Sequence, residues 1–282
     1  MIKSVYNSHY NKKVVVEEDG SICKLIFQPE LTRTGWAREQ GAIDRDDLRK
    51  HFFDYSLLAM YSLNFFPEPI EKVLVVGLGA GVIPREMNHF CPETQIDVIE
   101  IDPLIVDIAK GHFYYTDDEG TTTHISYPKS DAVGELVHRK NPKVHTYIGD
   151  AWTVIDTLKE NDYDIVVLDA YEASYIPFQL MTSEFIEKVK KVVKEDGVVS
   201  ANLCNAHPSY HPQLATFYSV FGDRFYTMEG PNNGNATMLS ICNHAPNYKF
   251  PFPKKYYPSL KHESFPLWDD LKNIDFFSMR RF

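Results

Sequence analysis

The sequence predicts an α/β protein whose mostly parallel sheet is covered by helices on both faces, preceded by a small antiparallel β unit. The main observation is a strict alternation of short apolar strands and amphipathic helices between residues 72 and 242. A glycine-rich turn follows the first strand of this series directly. Near the N-terminus, Asp19-Gly20 separates two apolar runs, which is a strong hairpin signal.

Composition and charge narrow the class of protein. The chain has 282 residues, of which 44% are hydrophobic, and a formal net charge of −10. An acidic surface repels phosphate backbones and is compatible with a cationic substrate, so nucleic acid is not an expected partner. The N-terminus lacks the apolar core of a signal peptide, and no apolar run is long enough to span a membrane. We therefore expect a soluble, cytoplasmic protein, in which the four scattered cysteines are free.

Three regions are expected. Residues 1–55 form a small N-terminal β-hairpin domain, with strands over 13–17 and 23–27 and a polar loop over 32–43. A helix is expected over 46–66, because apolar residues recur there at helical spacing and Asp46 or Asp47 can cap it.

Residues 56–244 form the main domain, with a polar insertion at 117–142 that is helical around 132–137, and residues 245–282 form a tail packed on it. Seven strands are expected in its sheet, over 72–76, 96–101, 144–148, 164–168, 198–203, 224–228 and 237–242. The helices between them are expected over 84–90, 103–112, 153–159, 183–194 and 213–221.

The glycine turn consists of Gly77, Gly79 and Gly81 at the first strand–helix junction. Glycines at this junction let the backbone approach a ligand closely, although a tight turn without a ligand has the same pattern. The dinucleotide fingerprint requires a third glycine where this chain has Val82, and no triphosphate-binding loop is present. The turn therefore favours an adenosyl ligand without phosphate over NAD.

Acidic residues follow the second and third strands. Glu100 stands at the tip of the second strand, beside Ile101, where a carboxylate can accept hydrogen bonds from both ribose hydroxyls. The alternative is an acid that favours the start of the next helix, a role that suits Asp102. Asp150, beside Ala151, ends the third strand and can accept a hydrogen bond from an adenine amine or cap the following helix.

The fourth strand delivers a further acid, Asp169, to the same edge of the sheet. Glu172 lies three residues later, and paired acids can hold an ammonium group and remove its proton. The rings of Tyr171 and Tyr175 can face a cation. The alternative interpretation is a charged loop with surface tyrosines.

A metal site is not expected. Cys204, His207 and His211 have a spacing that metal sites use, but prolines interrupt the segment and no fourth ligand is evident.

Taken together, these motifs resemble those of the spermidine synthase (aminopropyltransferase) family over residues 5–243. The matching segments are G-x-G-x-G at 77–81, E-I-D at 100–102, G-D-A at 149–151, Y-D-I-V-V-L-D at 163–169 and P-x-x-L-x-T-x-E-F at 177–185. The resemblance implies a class I methyltransferase-like (Rossmann-like) domain with a seven-stranded sheet and a small N-terminal β domain. It also implies decarboxylated S-adenosylmethionine as donor, a polyamine such as putrescine as acceptor, no metal, and a homodimer.

By this resemblance, residue roles can be assigned. The donor would be bound by the glycine turn with Glu100 and Ile101 at the ribose and Asp150 and Ala151 at the adenine, and Asp169 would be the catalytic base. The acceptor amine would contact substrate-binding residues, namely Tyr55, Tyr171, Glu172 and Tyr175.

The chain departs from the family pattern at several positions. Ala80 replaces an aspartate that contacts the aminopropyl arm of the donor, and 169–173 read D-A-Y-E-A instead of D-S-x-D-P. The Y-[HQ]-E box is not matched at 51–55, and the insertion is atypical. These departures resemble a divergent spermidine synthase-like branch. Two alternatives stay open, a methyltransferase that uses S-adenosylmethionine itself and a non-catalytic protein that binds an adenosyl ligand.

Overall fold

The computed structural model describes most of the first 242 residues and two short pieces of the tail. The described residues are 1–28, 39–48, 50–61, 63, 69–118, 143–172, 175–222, 225–229, 236–242, 261–262 and 280–281. The expected helix around 132–137, most of the expected insertion and most of the expected tail lie outside these ranges.

Four antiparallel strands form the N-terminal unit. They are β1 Ile2–Ser8, β2 Lys12–Asp19, β3 Ile22–Phe27 and β4 Glu39–Asp44, in that order across the sheet. Gly20, with φ +61°, forms the predicted hairpin turn. The loop expected over 32–43 is wrong for its last residues, because β4 pairs with β3 and buries Ala42 and Ile43.

The first helix is shorter than the sequence predicts. An antiparallel bridge joins Asp44 to Asp47, and β5 (Lys50–His51) follows. Helix α1 therefore covers Asp54–Tyr61, and the expected cap at Asp46 or Asp47 is wrong. The backbone N–H groups of Arg45, Asp47 and Lys50 are bonded to carbonyls outside any helix, which the helical spacing of the apolar residues does not reveal.

Over the residues that the structure describes, the main sheet has eight strands, so the expected count of seven is wrong. Strands β10, β9, β6, β7 and β8 lie side by side and are parallel, β12 and β11 follow as antiparallel strands, and β14 is the additional edge strand. The bounds are β6 Lys72–Val76, β7 Gln95–Glu100, β8 Val144–Ile148, β9 Tyr163–Leu168, β10 Val193–Cys204, β11 Phe225–Glu229, β12 Ala236–Cys242 and β14 Arg280–Arg281. The remaining strand, β13 (Lys261–His262), pairs with β5.

Helices connect these strands close to where the periodicity predicts them. They are α2 Val82–Phe90, α3 Pro103–His112, α4 Ala151–Val154, α5 Ser183–Val192 and α6 Tyr210–Phe221, with 3₁₀-helices at Ile155–Thr157 and Phe178–Met181. In the described ranges, no helix combines the length and apolar character needed to cross a membrane.

Alternate residues of the central strand β6 fill two separate cores. Val73 and Val75 pack with α1, α2 and α3, whereas Leu74 and Val76 pack with α5 and α6. This alternation is why every side chain of β6 except that of Lys72 is buried. Both faces of the sheet are therefore occupied by protein, and the strand ends are left as the place for a ligand.

The N-terminal sheet packs on the same helices as the main sheet. Its inner residues share a third core with α2 and α3, and the Asn11 amide donates a hydrogen bond to Asp102, 2.8 Å away. Ser8 also bonds to Asp102, which in turn caps α3 by accepting from the Leu104 N–H. The β1–β2 turn is therefore fastened beside the carboxyl end of β7.

The glycine turn after β6 has a strict steric requirement. Gly77, Gly79 and Gly81 have φ values of +97°, +53° and +70°. A Cβ on Gly77 would lie 2.4 Å from the Asp169 carbonyl oxygen, because the backbone following β9 crosses directly over this residue. Only glycine fits this crossing.

We predict that Gly77→Ala lowers the free energy of unfolding by about 3 kcal/mol, from backbone strain and overpacking together. The control is Gly20→Ala, which has a similar left-handed φ but meets no atom within 4 Å. It should lower the free energy by about 1 kcal/mol. Urea unfolding of the two variants measures both values, and equal losses would contradict the steric account.

Candidate active site

One cavity of about 470 Å³ lies at the carboxyl ends of the parallel strands. Strand β6 leads to β7 on one side and pairs with β9 on the other, so the cavity sits where the strand order reverses. Residues of the β1–β2 turn, β3 and β4 in the N-terminal sheet also line the cavity. Its described lining is Tyr10, Asn11, Phe27, Glu39, Gln40, Tyr55, Val76, Gly77, Leu78, Gly79, Ile99, Glu100, Ile101, Gly149, Asp150, Ala151, Asp169, Ala170, Tyr171, Glu172, Pro177, Gln179, Leu180, Asn202 and Cys204.

Most of the residues assigned to the donor, the acceptor or the catalytic base line this cavity. The exceptions are Tyr175, which is exposed, and Gly81, which precedes α2 and packs against the Tyr115 side chain. Among the described residues, a Cβ on Gly79 would meet the Gln40 carbonyl alone, at 3.6 Å, so these residues leave the backbone open to a ligand here.

Glu100 is held rigidly at the tip of β7. Its two carboxylate oxygens accept hydrogen bonds from the Leu78 and Asp102 N–H groups, each at 3.0 Å. Burial raises the pKa of the Glu100 carboxyl above its ordinary value, and the backbone donors oppose this rise. The Ile101 N–H is a third backbone donor that favours the ionised form. A carboxylate has about four acceptor positions, so at least one remains for a ribose hydroxyl.

Asp150 serves two purposes at the tip of β8. Its Oδ1 caps α4 by accepting from the Trp152 N–H at 2.9 Å, and the same carboxylate lines the cavity. The cap and the cavity position therefore occur together, and they are not exclusive interpretations. The Gln179 amide nitrogen also contacts both oxygens of Asp150, at 3.2 and 3.1 Å.

Asp169 is the acid with the most unusual environment. It follows β9, and its N–H bonds to the Val76 carbonyl at 2.8 Å. Burial raises the pKa of its carboxyl to about 7, and a hydrogen bond from Asn202 lowers it in part. A carboxyl with a pKa near neutrality can exchange a proton with an amine at physiological pH.

Asn202 is a site residue that the sequence reasoning missed. It is buried near the end of β10, and its amide nitrogen donates to Asp169 Oδ1 at 2.8 Å. The available signal was a polar side chain within the apolar strand predicted over 198–203. It lies close to Asp169 because β10 is the neighbour of β9 in the sheet. The backbone carbonyl of Asn202 accepts from the Tyr171 hydroxyl at 3.1 Å, so one residue positions both Asp169 and Tyr171.

Of the other expected acceptor-side residues, Tyr55, Tyr171 and Glu172 line the same cavity as Asp169. The Tyr55 hydroxyl donates to the Gln40 carbonyl at 2.7 Å, and burial, with a smaller effect of the Asp169 charge, raises the pKa of Tyr55. Glu172 exchanges two backbone hydrogen bonds with Tyr175, which holds these two residues side by side.

The cavity is strongly acidic. Its described lining has carboxylates and no Lys, Arg or His. One of these carboxylates, Glu39, is paired with Lys24 outside the lining, at 2.9 Å. Among the described residues, no Lys, Arg or His side chain forms an ion pair with the other four carboxylates, Glu100, Asp150, Asp169 and Glu172. The site therefore favours a cationic ligand.

Two further positions bear on the chemistry. Ala80 is buried against Gly41 of the N-terminal sheet and does not line the cavity. Over the part of the chain that the structure describes, no group of three or more His, Cys, Asp or Glu side chains is arranged to hold a metal ion.

Comparison with solved structures identifies the fold. A probable spermidine synthase from Corynebacterium glutamicum matches with a TM-score of 0.65 and 16% identity, over 86% of this chain and 81% of that one. Human methyltransferase-like protein 13 matches with a TM-score of 0.54 and 20% identity, over 72% of this chain and 87% of that one. The predicted methyltransferase-like fold is thereby confirmed.

Sequence comparison identifies the family. A polyamine aminopropyltransferase from Vibrio vulnificus is 34% identical over 243 residues, which cover 85% of this chain and 72% of that protein. Further curated relatives are longer, and the chain covers between 32% and 63% of them. The family model described as the spermine/spermidine synthase domain matches residues 52–228. Because this match spans more than half of the sequence, the chain belongs to the spermine/spermidine synthase family.

Proposed function

We propose that this protein transfers an aminopropyl group from decarboxylated S-adenosylmethionine to a polyamine and releases 5′-methylthioadenosine. The observation that carries the proposal is the position of Asp169, a partly buried carboxyl that accepts a hydrogen bond from Asn202 and shares its cavity with the glycine turn and the strand-tip acids. Its raised pKa of about 7 suits the same role. The relative from Vibrio vulnificus bears the name polyamine aminopropyltransferase, which supports the same reaction.

The donor would lie across the ends of β6, β7 and β8. Glu100 accepts from the ribose hydroxyls, Asp150 accepts from the adenine amine, and the backbone at Gly77 and Gly79 allows close approach. Ile101 and Ala151 flank the two acids and form apolar contacts with the nucleoside. This arrangement leaves the sulfonium on the Asp169 side of the cavity.

The acceptor would lie between Asp169 and the aromatic residues. Tyr55 and Tyr171 provide ring faces for a cationic chain, and Glu172 binds an ammonium group. Tyr175 supports Glu172 through their two backbone hydrogen bonds and is absent from the described cavity lining.

The reaction is an in-line displacement. Asp169 accepts a proton from the ammonium group, and the nitrogen lone pair then attacks the propyl carbon bonded to sulfur. The new C–N bond forms as the C–S bond breaks, and the bonding electrons neutralise the sulfonium. Because the leaving group is already activated, positioning the neutral amine in line contributes most of the catalysis.

A methyltransferase is the second candidate, and a specific observation favours it. The position where the family has an arm-contacting aspartate is Ala80, whose side chain is buried away from the cavity. No carboxylate from this turn would therefore bind the amine of a decarboxylated donor. Human methyltransferase-like protein 13, which shares the fold, was solved with S-adenosylhomocysteine.

Supplying each donor separately distinguishes the two reactions. With decarboxylated donor and a polyamine we expect 5′-methylthioadenosine, detected by mass spectrometry, whereas S-adenosylhomocysteine from the intact donor would identify a methyltransferase.

Asp169→Asn should reduce turnover by at least about a hundredfold, because the general base is lost. It should change the affinity for 5′-methylthioadenosine little. Asp107→Asn, an exposed acid on α3, is the matched control.

The acid limb of the pH profile gives a second prediction. Asp169 must be ionised to accept a proton, so kcat/KM should rise with pH and level off above about pH 7. Asn202→Leu removes a hydrogen bond that favours the ionised form, so the limb should move to higher pH. Asn205→Leu, outside the cavity lining, should leave the limb in place. A limb that stays fixed or moves to lower pH in Asn202→Leu would refute the assignment of Asp169.

A further inference from the structure

Gln179 contacts an acid of the proposed donor site, and none of the roles assigned above uses it. It lies on the 3₁₀-helix that follows Pro177, where Leu180 N–H bonds to the Pro177 carbonyl at 2.9 Å. The backbone carbonyl of Gln179 accepts from the Thr182 hydroxyl, also at 2.9 Å. The backbone around Gln179 is therefore fixed, although its side chain reaches the solvent-exposed rim of the cavity.

The orientation of the Gln179 amide follows from its partner. A carboxylate only accepts hydrogen bonds, so the nitrogen must face Asp150, and it does so within 3.2 Å of both oxygens. The amide oxygen of Gln179, Oε1, is therefore not bonded to Asp150. Among the described residues, no group donates a hydrogen bond to it.

The acceptors left at this point form a pair. Asp150 Oδ1 already accepts from Trp152 and Gln179, whereas Oδ2 accepts from Gln179 alone. A carboxylate oxygen has about two acceptor positions, so Oδ2 retains one. The site therefore offers two neighbouring acceptors, Asp150 Oδ2 and Gln179 Oε1.

We propose that Gln179 is a specificity-determining residue that, together with Asp150, selects a 6-amino purine over a 6-oxo purine. An exocyclic amino group has two N–H bonds, which match these two acceptors. A 6-oxo group presents lone pairs to both acceptors and leaves them unpaired, which costs binding energy. The inference rests on the proposed function, because it requires the adenine to lie beside Asp150.

Calorimetry with 5′-methylthioadenosine and 5′-methylthioinosine tests this proposal without requiring turnover. The wild-type protein should bind the adenosine compound more tightly. In Gln179→Met, which keeps the length but not the hydrogen bonds, the ratio of the two affinities should fall about tenfold. Gln179→Glu should weaken adenosine binding as well, because a second carboxylate repels Asp150 and removes its donor.

Phe178→Ala is the control, because it changes the preceding, highly exposed residue of the same 3₁₀-helix. Its affinity ratio should equal that of the wild type. If Gln179→Met weakens both ligands equally, or neither, then Gln179 is only structural and the inference is wrong while the proposed function stands. If the wild-type protein binds neither compound, the proposed function fails and the inference fails with it.

Discussion

The backbone crossing between Gly77 and Asp169 is the constraint on which the site depends. The two chain segments that leave β6 and β9 touch here, closely enough that a single methyl group would meet a carbonyl oxygen at 2.4 Å. This contact places the proposed catalytic acid directly beside the turn that approaches the donor. Glycine is required because of the neighbouring strand, and not only because of the positive φ.

In this cavity, burial disfavours the ionised form of the carboxyl groups, whereas hydrogen bonds and a bound cationic amine favour it. Desolvation raises the pKa values of Glu100 and Asp169, which disfavours a high density of negative charge in the free protein. Hydrogen bonds from the backbone and from Asn202 keep part of the negative charge available. A cationic ligand supplies the remaining compensation, so binding of the substrate and ionisation of Asp169 favour each other.

The central sheet and the acids at its strand tips could be predicted because local pattern determines both. Apolar strands buried on two faces are continuous in the sequence, and the residue after each strand must lie at the same edge. Strand β4, the start of α1 and the eighth strand could not be predicted in this way, since they depend on pairing with distant segments. Asn202 and Gln179 were missed for a related reason. Their roles come from contacts across strands and loops, to Asp169 and Asp150, that spacing along the chain does not encode.

A crystal structure with 5′-methylthioadenosine and a polyamine bound together tests the central claim most directly. We expect both ribose hydroxyls to donate to Glu100, the adenine amine to lie beside Asp150, and a polyamine nitrogen to contact Asp169 in line with the sulfur. A nucleoside bound in the reverse direction, with its base at Asp169, would contradict the account. So would a nucleoside bound outside the cavity at the strand ends.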